Sequence, residues 1–167
     1  MARTRGRMQW LLPAAAIAVL AVGGCNTSEQ GATEPLVDRM IITIGEQEFT
    51  ATQGQGGFGG QQAVVQLGSF SFAAQFRRAD GQLDPVVNAA DFEIRVAGNN
   101  AGSPLPTPIT FERTGAFTGT ITGLADGQDV DVHFSLFHIE EAHTDFGPYF
   151  LTVTRNDGGG GGGPPPQ

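Results

Sequence analysis

The chain has one cysteine, Cys25, and no lysine. With no second thiol, no disulfide can staple the fold, so stability must come from a hydrophobic core. Tryptophan and tyrosine occur once each, and the core aromatics are therefore the 12 phenylalanines. Basic charge is scarce: 9 arginines face 17 acidic residues, and such a surface repels nucleic acid phosphates. No apolar run approaches the roughly 20 residues that span a bilayer as a helix. Catalytic motifs are also missing. No Gly-x-Ser-x-Gly elbow surrounds Ser69, Ser71 or Ser135, and Gly54 to Gly60 lacks the Lys-Ser/Thr ending of a phosphate loop. A non-enzymatic protein is expected.

The longest apolar run, Trp10 to Val22, is broken only by Pro13 and follows Arg3, Arg5 and Arg7. A positive start, a short apolar stretch and small residues before a cleavage site make an export signal. Val22-Gly23-Gly24-Cys25 resembles the lipobox of bacterial lipoproteins. That resemblance implies a helical signal peptide over residues 1–24, removal at Gly24, and lipid on Cys25 as the mature first residue. It also implies attachment to a membrane in the cell envelope. Asn26 in place of Asp favours the outer membrane or cell surface over the inner membrane. Without residues 1–24 the chain keeps 6 arginines against 17 acidic residues, a formal charge of −11.

Residues 25–36 read as a lipidated tether, polar and small. Gly158 to Gly163 and Pro164 to Pro166 give residues 156–167 no side chain to bury, so a disordered tail is expected there. Between them, residues 37–155 are of a size for one domain. A Gly/Gln-rich stretch, Gln53 to Gln62, reads as a long internal loop carrying a single aromatic, Phe58.

Elsewhere the pattern alternates with period two, as half-buried strands do. Phe70, Phe72, Ala74 and Phe76 share one face. Phe92, Ile94 and Val96 do the same, as do Val130, Val132, Phe134 and Leu136. Met40 to Ile44, Val64 to Leu67, Ile109 with Phe111, Phe117 with Ile121, and Tyr149 to Val153 complete the set. The expected fold is all-β: an antiparallel sandwich of two sheets with seven to eight strands. Gly119-Thr-Ile-Thr-Gly-Leu124-Ala-Asp-Gly127-Gln-Asp-Val130-Asp-Val132 resembles the strand–corner–strand passage of fibronectin type III and bacterial Ig-like domains. That resemblance implies an Ig-like sandwich, a fold that hosts many functions.

Chemistry concentrates in one place. All three histidines lie between His133 and His143, followed by Asp145. Imidazole and carboxylate are ligands for zinc and copper, and a loop folding His138, His143 and Asp145 together would hold such an ion. His138 continues the inward row of Val130 to Leu136, whereas His133 points to the opposite face. Glu140 and Glu141 add carboxylates nearby. The structural alternative has His138 and His143 bonding loop backbone to shape the last turn. Asp126, Asp129 and Asp131 follow no EF-hand pattern and read as a solvated acidic face. Phe58, Phe137, Phe146 and Phe150 are a candidate exposed patch for an envelope protein partner. Function is thus expected to be binding or interaction at a membrane, with zinc or copper binding as the alternative.

Overall fold

A computed structural model describes residues 34–98 and 103–157. The expected signal peptide, Cys25, most of the expected tether and nearly all of the expected Gly/Pro tail lie outside the described residues. Those described contain nine strands and no helix. One sheet has the order β2 (Gln47–Thr52), β1 (Arg39–Ile44), β4 (Ser69–Arg77), β7 (Thr118–Thr122), β6 (Thr110–Gly115). The other has the order β3 (Gln62–Val65), β9 (His143–Arg155), β8 (Asp129–His138), β5 (Phe92–Ala97).

The alternation sets which faces meet. Inward residues of both sheets form one buried cluster, including Met40, Ile42, Phe72, Ile94, Val132, Phe134 and Leu151. Phe134 of β8 meets Phe72 of β4 edge-on at 5.0 Å, which joins the two layers directly. The two sheets thus make a β-sandwich. Both open sides are bridged. The Gln47 side chain bonds the Val64 carbonyl at 2.9 Å, and the Ile94 amide donates to the Ala116 carbonyl at 2.7 Å. Where the chain enters β1, the buried Asp84 carboxylate accepts the Leu36 amide at 2.6 Å and the Val86 amide at 2.9 Å.

Three expectations about the strands are corrected. There are nine strands, because Gln47–Thr52 forms β2 beside β1, with Phe49 and Ala51 inward. The sandwich is not wholly antiparallel, since β3 runs parallel to β9. The last strand begins at His143, six residues before Tyr149, and its register against β8 shifts between Phe134 and Phe137. Gly147 permits that irregularity. Its φ is +87°, and a Cβ there would lie 2.8 Å from the Phe134 carbonyl oxygen, a contact no side chain tolerates.

The aromatic patch is corrected as well. Phe58, Phe137 and Phe146 are buried, and only Phe150 is exposed. Phe58 turns the Gly/Gln-rich loop inward and meets Phe134 edge-on at 6.3 Å, so that loop plugs the core. Phe137 does point outward, but the Arg95 guanidinium lies 3.1 Å from its ring centre and covers it. Phe146 precedes the irregularity at Gly147, which reverses its parity and turns it in against Tyr149 at 5.1 Å.

Candidate metal centre

β8 and β9 meet in a hairpin whose closing pair is His138 and His143, directly opposite each other. Only Ile139 to Ala142 lie between them, so the site sits on two strand ends and not in a wide loop. Ala142 takes φ 54°, a left-handed turn that brings His143 back beside His138. The hairpin is held from below by the Ile139 amide, which donates to the Asp91 carbonyl at 2.8 Å. His138 faces inward as its parity requires. It is 6 % exposed at the side chain and stacks on Phe92 with ring centres 4.6 Å apart.

Asp145 lies two residues along β9 from His143, at the extra residue that the register shift between Leu136 and Phe137 leaves in β9, and its carboxylate turns back to the His143 ring. Donor atoms of His138, His143 and Asp145 all fall within 4.8 Å of one another. His143 Nε2 is 2.7 Å from Asp145 Oδ1, and His138 Nδ1 is 3.9 Å from Asp145 Oδ2. Glu141 Oε2 lies 3.5 Å from His138 Nδ1 and 3.3 Å from His143 Nδ1. Ligand atoms around a tetrahedral zinc, bonded at 2.0–2.1 Å, are about 3.3 Å apart, so small shifts seat an ion here. Asp145 Oδ2 is buried and has no hydrogen-bond partner. A buried carboxylate oxygen left unpaired is costly, and a cation would satisfy it.

Neighbouring candidates do not join this cluster. His133 lies on the opposite face, tilted against Phe150 at 5.7 Å. Asp129 accepts from the Thr154 hydroxyl, and Asp131 from the Thr152 hydroxyl at 2.7 Å. One oxygen of each is thus engaged along the β8–β9 ladder. Two supports of the site carry little sequence signal: Phe92 beneath His138, and the Asp91 carbonyl beneath the turn.

The His143 ring titrates above the ordinary histidine value of 6.5, first because of its hydrogen bond to Asp145 and then through the charges of Asp145 and Glu141. Two opposite pH dependences follow. In the metal-free protein the protonated ring stabilises the fold at low pH, and that contribution disappears as pH rises through the raised value. Metal binding requires the neutral ring, so apparent affinity for Zn²⁺ should rise with pH and level off only above 6.5. Melting temperatures with and without zinc across pH 5–9 would test this, and the gap between them should widen as pH increases. A gap independent of pH would exclude His143 as a ligand.

Comparison with protein-family models, with curated proteins and with solved structures finds no match to this chain.

Proposed function

We propose that this is an exported, lipid-anchored envelope protein whose single Ig-like domain binds a divalent transition-metal ion. Two nitrogens and a carboxylate meeting at a hairpin base carry this reading, above all the buried, unpaired Asp145 Oδ2. Two imidazoles and one carboxylate suit zinc or copper better than calcium or magnesium, which take oxygen ligands. The exposed patch that would support a protein partner loses three of its four aromatics to burial. Metal binding is therefore preferred to a protein-docking role. The domain is read as non-enzymatic.

The anchor and the metal site are separately testable. Cys25→Ala should abolish lipid modification, since no other thiol exists to accept it. Mass spectrometry of the membrane-extracted protein reads this, and an unmodified wild-type chain beginning elsewhere would sink the lipobox reading. For the metal, calorimetric titration of the detergent-solubilised mature protein with Zn²⁺ should give one saturable site at micromolar metal. Absence of saturable heat with both Zn²⁺ and Cu²⁺ would return the histidines to a structural role.

A further inference from the structure

The outer face of the four-stranded sheet carries a cavity of its own. Two residues of β9, Gly147 and Pro148, stand opposite one of β8, Ser135, where the register shifts. Such a bulge bends the strand and makes the face uneven. Pro148 borders the cavity on the β9 side. Pro104 borders it beyond β5, held there because the Gly98 amide donates to the Ser103 carbonyl at 2.7 Å. A Cβ at Gly98 would overlap the Pro104 carbonyl, so glycine lets that wall close in. The space between measures about 510 Å³, within the range of small-ligand sites. Phe137, beneath the Arg95 guanidinium, gives it an apolar surface. Ser135 and His133 also line it; Ser135 is buried, and His133 Nδ1 is buried with no hydrogen-bond partner.

Charge sets this cavity apart. The buried Glu93 carboxylate is shared by two guanidiniums: Arg95 Nε lies 3.1 Å from Oε1, and Arg113 pairs with Oε2. Two positive charges against one negative leave the cluster with positive charge in excess. No acidic side chain among the described residues lines the cavity, in a chain where 17 acidic residues outnumber 9 arginines. We propose that this cavity binds a small organic carboxylate, at a site separate from the metal centre and independent of that reading. Arg95 supplies the charge-assisted hydrogen bonds, which the guanidinium fork fits to a carboxylate. The Ser135 hydroxyl donates to it as well. No hydrogen bond fixes His133 Nδ1, so the ring is free to turn and offer a nitrogen to the guest. That contact would satisfy a polar atom the protein leaves unpaired. The organic part of the guest lies against Phe137 and between the two prolines, a surface that an inorganic anion could not use.

Residue-resolved ¹H–¹⁵N spectra of the metal-free mature protein in non-ionic detergent, titrated with benzoate, benzamide and acetate, test this. Benzoate should saturate at millimolar concentration or below, with shifts centred on residues 95–97 and 133–137 and not on the hairpin base. Benzamide, its uncharged isostere, and acetate, which lacks the ring, should each bind about tenfold more weakly or worse. Arg95→Gln should lower benzoate affinity about tenfold to a hundredfold, the weight of hydrogen bonds to a charged group. Glu93→Gln discriminates further. It keeps an oxygen for Arg95 but removes the negative charge, so benzoate should bind more tightly than to the wild type, a gain that a merely structural Glu93 does not give. Arg113→Gln, outside the cavity, should weaken binding by leaving Glu93 to neutralise Arg95 alone. Melting curves check that each variant is folded. Four results would overturn the proposal: no saturable shift with benzoate, shifts centred on the hairpin base, benzoate no tighter than benzamide, or an unchanged affinity in Arg95→Gln. Weaker benzoate binding in a folded Glu93→Gln protein would do so too.

Discussion

Phe134→Ala is expected to lower unfolding free energy by about 3–5 kcal/mol, the usual range for emptying a fully buried phenylalanine site. The ring has no exposed surface and meets aromatic rings from two other parts of the fold. It meets Phe72 of the five-stranded sheet at 5.0 Å and Phe58 of the Gly/Gln-rich loop at 6.3 Å, while belonging itself to the other sheet. Removing it opens a cavity that neither layer can fill by moving alone. Urea unfolding followed by far-UV circular dichroism measures the loss. A cost below half a kilocalorie would mean the ring does not sit between the sheets.

The second large effect is expected in metal affinity. His138→Ala and Asp145→Ala should each weaken zinc binding on the order of a hundredfold or more, since each removes a direct ligand. His143→Ala should do the same, while His133→Ala should change little because its ring lies on the far face against Phe150. Asp145→Ala carries an additional signature. It removes the buried unpaired oxygen together with the Oδ1 bond to His143, so at a pH above the raised His143 value the zinc-free variant should lose little stability despite losing its metal. Parallel calorimetric titrations and thermal melts decide both points. A His133→Ala variant weaker than His138→Ala would place the metal elsewhere.

Much of this arrangement was legible in the alternation of apolar residues. Rows such as Phe70 to Phe76 and Val130 to Leu136 are long enough to set both strand and face, and His138 inherits its inward direction from the second. Strand β2 was harder to see, because Gln47-Glu48-Phe49-Thr50-Ala51 offers one large apolar residue. Its available signal was Gly45 followed by Glu46, a two-residue turn with φ 59° at the glycine, directly after the Ile41–Ile44 run. Parity failed near Phe146 for a definite reason. The irregularity around Gly147 changes the count of residues between β8 and β9, and a period-two reading has no means of detecting one extra residue. Phe58 and Phe137 illustrate a different gap. What covers an aromatic comes from elsewhere in the chain, here a folded-back loop and Arg95 of the neighbouring strand, and local pattern carries no trace of either. The approach of His138, His143 and Asp145 was legible as spacing, but their opposition across a four-residue turn required the register.

X-ray diffraction from zinc-soaked crystals, recorded on both sides of the zinc absorption edge, would locate the ion without reference to any variant. The expected result is one anomalous peak bounded by a ring nitrogen of His138, a ring nitrogen of His143 and a carboxylate oxygen of Asp145, each about 2.0–2.2 Å away. A peak shared only by exposed carboxylates such as Asp126 and Asp129, or none at the hairpin base, would contradict a built metal centre there.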